Sequence, residues 1–130
     1  MAVEFNTSLI SVVSNFLETL NVPFTKKTLK HRLEANPYYP SLYSISQVFK
    51  WYTIENRGLQ VKVEQLDKLP LPFLAYVSNK EIGSKDFVNV INVSNDSVTF
   101  YNGKEKTVTK DDFIRSWQSN IVLLAEVYQC

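Results

Sequence analysis

The sequence predicts an α+β fold in which N-terminal helices pack on an antiparallel β-sheet. Up to about residue 52, the apolar residues recur at helical spacing, and after residue 59 they alternate with polar residues in short runs. A third observation is Asn102-Gly103, a pair that is typical of tight β-hairpins. Short strands joined by such turns are neighbours in space, so we expect an antiparallel meander.

The first two helices are separated by a turn at residues 21–23. Apolar residues keep helical spacing from Leu9 to Leu20, and a second pattern follows Thr25, which is a candidate N-terminal cap. The second helix has only Leu29 and Leu33 on its apolar face, so we expect it to lie on the surface. The candidate caps of the first helix are Asn6, Thr7 and Ser8.

A proline-containing corner precedes the third helix. Pro37 and Pro40 restrict the backbone to extended conformations, and Ser41 then stands where a helix cap is expected. The third helix is predicted to begin at about Leu42 and to stop before residues 56–58, Asn-Arg-Gly. Its apolar stripe consists of Leu42, Ile45, Val48, Phe49 and Tyr52.

The second half of the chain is predicted to form the sheet. Thr109 begins a capping pattern for a short helix that ends near Gln118. The last strand is apolar enough to be interior in the sheet. The predicted strands are 59–63, 73–77, 87–93, 97–101 and 121–127, with a helical turn at 64–69 and a loop at 78–85.

Composition restricts the class of protein. The chain has 130 residues, 45% hydrophobic residues and a net charge of +1, which is typical of one folded domain spanning residues 1–130. One basic cluster, Lys26, Lys27, Lys30, His31 and Arg32, is interpreted as the solvated face of a helix, and the alternative is a docking patch for an acidic partner. Because no broad positive surface is predicted, we expect no nucleic-acid partner.

The sequence has no apolar run long enough to cross a bilayer and no pattern of a secretory signal. Its one cysteine is Cys130, so neither an intrachain disulfide nor a thiolate metal site is expected. The sequence ends directly after an apolar run without a polar tail, and we therefore expect the 130 residues to be part of a longer protein.

The sequence contains few motifs that indicate catalysis, cofactor binding or metal binding. The single histidine, His31, lies among lysines, where a solvated imidazole is the simpler interpretation than a catalytic base. The sequence contains no phosphate-binding loop, nucleotide fingerprint or metal-binding motif, so no cofactor or metal is expected.

Several segments together resemble the peptidase C39 family. They are the Tyr39-Pro-Ser-Leu corner, Leu69-Pro-Leu-Pro-Phe-Leu-Ala-Tyr, Lys85-Asp-Phe-Val-Asn-Val-Ile, Phe100-Tyr-Asn-Gly and Phe113-Ile-Arg-Ser-Trp. The resemblance implies a papain-like fold and a place among the N-terminal cytosolic domains of bacterial peptide exporters, which cut leader peptides after a double glycine. The sequence is also similar to C39-like domains fused to vitamin K epoxide reductase-like proteins of Bacteroidetes.

The resemblance also implies that the catalytic residues have been replaced. The family's cysteine, histidine and aspartate correspond to Ser8, Asp86 and Asn102, and the region of the family's oxyanion glutamine contains only Ala2 and its neighbours. A serine hydroxyl needs a base of intermediate pKa, and an ordinary carboxyl group, with a pKa of about 4, is a poor substitute for imidazole. We therefore expect no peptidase activity.

Two functions are compatible with an inactive domain. The first is a module that binds a leader peptide or an unfolded polypeptide segment for an exporter at the cytoplasmic face of the bacterial inner membrane. The alternative is a regulatory or structural domain that contacts downstream membrane domains of its own chain, as in a vitamin K epoxide reductase-like oxidoreductase. An active hydrolase of another mechanism is a third possibility. The candidate contacts of a partner are Tyr38, Tyr39 and Trp117.

Overall fold

The computed structural model describes the backbone of residues 2–79 and 84–126, and the side chains of residues 9–77, 87–117 and 120–125. Helices cover an antiparallel sheet, which confirms the predicted α+β class. The elements are α1 (Ala2–Thr19), α2 (Lys26–Ala35), α3 (Leu42–Trp51), β1 (Glu55–Gln60), a 3₁₀ helix (Val63–Lys68), β2 (Phe73–Asn79), β3 (Ser84–Val93), β4 (Ser97–Tyr101), β5 (Glu105–Thr109), α4 (Lys110–Ser116) and β6 (Trp117–Glu126).

Six strands of the described chain form one sheet in the order β1-β6-β2-β3-β4-β5, and all neighbouring pairs are antiparallel. The last strand, β6, lies between β1 and β2, where Val122 is opposite Leu59 on one side and Ala75 on the other. The prediction of an interior last strand is therefore confirmed.

Each face of the sheet carries its own core. The helical face, covered by α1, α2 and α3, buries Leu9, Val12, Val13, Phe16, Leu17, Leu29, Leu33, Ile45, Val48, Phe49, Ile54, Leu74, Phe87 and Leu123. The opposite face, covered by α4 and the 3₁₀ helix, buries Leu66, Phe73, Ala75, Val77, Val88, Val90, Val98, Phe100, Phe113, Trp117 and Val122. Because successive side chains of β2 point to opposite faces, Leu74 lies in the core of the helical face and Phe73 lies in the core of the opposite face.

Three of the predicted helix caps are confirmed. Thr25 accepts a hydrogen bond from the backbone N–H of Thr28 at 3.2 Å, and Thr109 accepts one from Asp112 at 3.1 Å. At the start of α3, Ser41 accepts from the N–H of Ser44. The Ser44 hydroxyl in turn accepts from the N–H of Ser41, which completes a reciprocal capping box.

The predicted start of the first helix is wrong. Because α1 already begins at Ala2, the polar residues at positions 6–8 lie inside the helix and do not cap it. Side-chain capping is a local signal, and here the helix continues through residues that favour caps in isolation.

The position of the first strand also differs from the prediction. Residues 56–58 were expected to form a turn, but they belong to β1, and the turn lies earlier, at Thr53, whose φ is 60°. The Asn56 amide donates to the carbonyl oxygens of Ser46 and Ile54 at 3.2 and 3.1 Å, which ties the strand to α3. A Cβ on Gly58 would be 3.7 Å from the side chain of Leu42, so the strand passes close to the helix there.

The predicted hairpin at Asn102-Gly103 is confirmed. Asn102, Gly103 and Lys104 connect β4 to β5, and Gly103 has a φ of 115°, which favours glycine. The predicted loop at 78–85 is shorter than expected, because β2 continues to Asn79 and β3 begins at Ser84. The rest of that prediction, residues 80–83, lies outside the described residues.

Candidate functional site

The three positions that the C39-like segments assign to catalytic residues, 8, 86 and 102, lie on elements that are neighbours in the fold. Position 8 lies in α1, Asp86 lies in β3 opposite Val77, and Asn102 directly follows β4. Helix α1 packs on β3, and β3 pairs with β4. The side chains of Ser8 and Asp86 lie outside the described part of the structure, whereas Asn102 is half-buried and its N–H donates to the Lys104 carbonyl at 3.2 Å.

Polar side chains connect the same elements beneath these positions. The Asn89 amide in β3 donates to the Asn15 side-chain oxygen in α1 at 2.6 Å. The Ser11 hydroxyl, one turn after position 8, lies 2.8 Å from the Tyr101 hydroxyl at the end of β4. We call Ser11, Asn15, Asn89 and Tyr101 the polar seam, because they join the helix to two strands through side-chain hydrogen bonds.

Part of this interface is buried without full hydrogen bonding. Asn89 is fully buried, and its side-chain oxygen has no hydrogen-bond partner among the described residues. The hydroxyl of Ser14, in α1, is also buried and has no hydrogen-bond partner among the described residues. Each unsatisfied buried group costs about 1–3 kcal/mol of stability. The region around the seam is therefore less stable than an apolar packing of the same helix would be.

The predicted partner contacts are separated by the structure. Tyr38 is 59% exposed and meets the ring of Tyr43 edge-on at 5.1 Å, whereas Tyr39 is half-buried and packs against the core of the helical face. Trp117 is only 4% exposed, contacts Phe113 at 5.7 Å between ring centroids, and belongs to the core of the opposite face. The expectation that Trp117 contacts a partner is therefore wrong, because core packing encloses its ring.

A second surface lies between α2 and α3, and the sequence indicated only its basic residues, as part of the basic cluster. The guanidinium of Arg32 stacks on the ring of Trp51, 3.9 Å from its centroid. A cavity of about 330 Å³ opens beside this pair. We call it the α2–α3 cleft, and it is lined by His31, Arg32, Ala35, Asn36, Pro37, Gln47, Val48 and Trp51.

The neighbouring Tyr52 is affected by this environment. Burial raises the pKa of the Tyr52 phenol above its ordinary value of about 10, and the positive charge of Arg32 opposes that rise in pKa. The Tyr52 hydroxyl is buried and has no hydrogen-bond partner among the described residues. Its ring packs edge-on against Trp51 at 4.9 Å, so it supports one wall of the cleft.

The described residues contain no group of three or more His, Cys, Asp or Glu side chains arranged to hold a metal ion. Within the same residues, no helix combines the length and hydrophobicity needed to cross a membrane.

The sequence profile of the peptidase C39 family matches residues 2–128. This chain belongs to the peptidase C39 family. The match covers all three positions that the resemblance assigns to the replaced catalytic residues, Ser8, Asp86 and Asn102. A comparison with curated protein sequences gives no match.

Solved C39 structures share the fold. The peptidase domain of Streptococcus ComA, a bifunctional ABC transporter of a quorum-sensing pathway, superposes with a TM-score of 0.72 at 16% identity, over 88% of this chain and 86% of that one. A double-glycine-motif protease from an AMS/PCAT transporter, solved with its leader peptide, gives 0.75 at 13% identity over 89% and 81%.

A third structure is the N-terminal peptidase C39-like domain of a toxin-secretion ATP-binding protein from Vibrio parahaemolyticus. It has a TM-score of 0.72 at 8% identity and covers 92% of this chain and 96% of that one. At these identities the likeness establishes the C39 fold, and the role of each side chain has to be argued from this chain alone.

Proposed function

We propose that this C39 domain binds a peptide segment without cleaving it, as a module of a bacterial peptide exporter. The proposal is carried by the C39 family match over residues 2–128, together with the resemblance that assigns the positions of the family's cysteine, histidine and aspartate to Ser8, Asp86 and Asn102. The chain's single cysteine is Cys130, far along the sequence from α1. A C39 thiolate mechanism therefore has no nucleophile at its expected position.

The substitutions also remove the means of activating a serine. A hydroxyl becomes nucleophilic when a base within hydrogen-bond reach accepts its proton, and that base needs a pKa near the working pH. The residue that the resemblance places at the histidine position is Asp86, and an ordinary carboxyl group has a pKa of about 4. Such a carboxylate is too weak a base for this proton transfer, so loss of catalysis follows from the replaced side chains.

Peptide binding is supported by the fold and by the site's polar character. A C39 relative has been solved with a leader peptide, and the present chain retains that relative's architecture. The half-buried Ser11, Tyr101 and Asn102 lie where α1 meets the end of β4, and their polar groups are partly accessible to a bound backbone. We place the bound segment there, with Asn102 as one contact.

The absence of cleavage is tested directly. The protein is incubated with double-glycine leader peptides, and the products are analysed by mass spectrometry beside an active C39 peptidase domain. We expect intact peptide with this chain and cleaved peptide with the active domain. Cleavage after the double glycine that disappears in Ser8→Ala would overturn the proposal.

Binding is tested separately by NMR titration of the same peptides into labelled protein. We expect saturable shifts of the amide signals in α1, β3 and the β4–β5 turn, because these elements surround the replaced positions. An Asn102→Ala variant should weaken binding, and Lys104→Ala, at an exposed neighbouring position, serves as the matched control. No response of any surface up to millimolar peptide would contradict peptide binding.

A further inference from the structure

The outward face of α3 carries large rings that the core does not use. Tyr43, Gln47 and Trp51 recur every four residues and therefore lie along one face of the helix. Tyr43 is 55% exposed and Trp51 is 48% exposed, while the inward stripe of α3 is already buried in the core. Clustered exposed aromatic rings are a feature of interaction surfaces rather than of ordinary solvated helices.

Hydrogen bonds hold these side chains in place. The Gln47 amide donates to the Tyr43 hydroxyl at 2.8 Å, and the Asn36 amide donates to the Gln47 side-chain oxygen at 2.7 Å. Asn36 also accepts from the backbone N–H of Tyr38 at 2.9 Å, and the Tyr38 ring contacts Tyr43. Because the surface is already ordered, less side-chain entropy is lost when a partner binds.

The segment that forms this surface carries a net positive charge. Residues 26–51 contain five Lys or Arg and one Glu, a net charge of +4, in a chain whose net charge is +1, and Arg32 is the member of this set that lines the cleft. Arg32 has no carboxylate partner among the described residues, although its guanidinium is fixed over the Trp51 ring. A guanidinium that stacks on an aromatic ring keeps its N–H edge available for a carboxylate.

We infer that the α2–α3 cleft docks an acidic segment of a partner polypeptide, which inserts an apolar side chain beside Trp51 while one of its carboxylates pairs with Arg32. The positive charge of Arg32 favours a partner segment with carboxylates, and the exposed rings of Tyr43 and Trp51 favour a segment that also carries an apolar side chain. This surface lies on α2 and α3, whereas the replaced catalytic positions lie on α1, β3 and the β4–β5 turn. The inference therefore does not depend on the proposed function.

The shape of the surface favours a polypeptide over a lipid bilayer. Basic residues with Trp and Tyr also occur at membrane surfaces, where rings enter the headgroup region from a convex face. Here the basic and aromatic groups surround a concavity of about 330 Å³, a volume that accepts one or two side chains. Its walls include the amides of Asn36 and Gln47, which can hydrogen-bond a peptide backbone.

The experiment uses a short synthetic peptide of glutamate, leucine and phenylalanine, and a control peptide with lysine in place of every glutamate. Binding is followed by NMR shifts and by tryptophan fluorescence, which reports on the cleft because Trp51 is exposed and Trp117 is buried. We expect the acidic peptide alone to bind, with shifts confined to α2, α3 and the 36–41 corner, and with affinity that falls as salt is added.

Two variants with the same charge change separate the cleft from general attraction. Arg32→Glu should weaken binding by about tenfold or more, since it replaces attraction by repulsion at the cleft. Lys104→Glu, at the exposed β4–β5 turn, should change affinity by less than about twofold, because it lies outside the cleft. Thermal melts of Arg32→Glu, Arg32→Gln and Lys104→Glu verify that each variant is folded, so that a loss of binding does not reflect unfolding.

Several outcomes would overturn the inference. These are the absence of any shift with the acidic peptide up to millimolar concentration, equal weakening by Arg32→Glu and Lys104→Glu, and shifts that map to α1 and β3. Binding to vesicles containing phosphatidylglycerol, with no binding of the acidic peptide, would assign the surface to the membrane. Leader-peptide binding tested under the proposed function can fail or succeed independently of each of these results.

Discussion

The two faces of the sheet are packed by different kinds of side chain. The opposite face, under α4 and the 3₁₀ helix, has an apolar core whose buried Ser116 hydroxyl donates to the Phe113 carbonyl at 2.8 Å. The helical face is also apolar at its centre, but it buries Ser14 in α1 and Asn89 in β3, and the Ser14 hydroxyl and the Asn89 side-chain oxygen have no hydrogen-bond partner among the described residues. The Ser44 hydroxyl, also buried on the helical side, is hydrogen-bonded at the start of α3, so the contrast with the opposite face concerns Ser14 and Asn89.

The two faces of the sheet therefore differ in whether their buried residues are those that packing alone would favour. Packing alone would favour apolar residues between α1 and β3, as on the opposite face. The helical face instead retains the polar seam between α1 and the strands. Polar residues that reduce stability are typical of functional sites. Under the proposed function, these residues lie next to the positions that the C39 resemblance assigns to replaced catalytic residues.

Truncating a central phenylalanine on each face tests whether the apolar packing itself is equivalent. Phe16 is fully buried and stacks on Phe49 at 5.2 Å on the helical face, and Phe113 is fully buried on the opposite face. We expect Phe16→Ala and Phe113→Ala each to lower the free energy of unfolding by about 3–5 kcal/mol. Urea denaturation measures both, and a loss below about 1 kcal/mol in either would show that the face is loosely packed.

The polar seam should respond differently from the apolar cores. Asn89→Ala removes the hydrogen bond to Asn15 and should lower the free energy of unfolding by about 1–3 kcal/mol. In a double-mutant cycle, Asn15→Ala combined with Asn89→Ala should cost less than the sum of the single changes, by about 0.5–3 kcal/mol. Ser116→Ala is the control on the opposite face. Strictly additive effects of the two asparagines would refute their coupling.

The smallest expected effect concerns Tyr52. Its buried hydroxyl has no partner among the described residues, so Tyr52→Phe should leave the free energy of unfolding unchanged or raise it by up to about 1 kcal/mol. Because burial raises the pKa of Tyr52 in the folded state, its neutral form is favoured there. The part of the free energy of unfolding that depends on the neutral Tyr52 phenol is therefore fully present below about pH 10. It is lost as the pH rises through the folded-state pKa of Tyr52.

The pH dependence gives this prediction a second measurement. Thermal melts between neutral and strongly alkaline pH should show that Tyr52→Phe loses less stability above about pH 10 than the natural chain does. Tyr38→Phe, at an exposed ring, is the matched control and should follow the natural chain. An identical alkaline profile for Tyr52→Phe and the natural chain would contradict the raised pKa.

The sequence predicted those parts of the fold that depend on neighbouring residues. Thr25, Ser41 and Thr109 cap helices by accepting hydrogen bonds from N–H groups three positions later, so a short segment contains both partners. Strand alternation likewise needs only local information. The start of β1 was missed because Asn56 and Gly58 favour turns in isolation, whereas contacts with Ser46 and Leu42 on α3 hold them in a strand.

The candidate site was predictable only where the C39 resemblance assigned positions. The polar seam was not found, because its hydrogen bonds join residues 74 and 90 positions apart in the chain. A polar Asn89 within an apolar strand was its one visible signal. The α2–α3 cleft had a clearer signal, since Tyr43 and Trp51 lie off the apolar stripe of α3. Trp117 was misassigned because its enclosure depends on the packing of α4 against the sheet.

The interior position of β6 determines the order in which the sheet can be completed during synthesis. Within the described residues, β1 pairs only with β6, although 56 residues separate the two strands. During synthesis, β1 therefore has no strand to pair with until β6 has been made. Because the core of the helical face includes Leu123 of β6, that core can be completed only after residues 117–126 have left the exit tunnel.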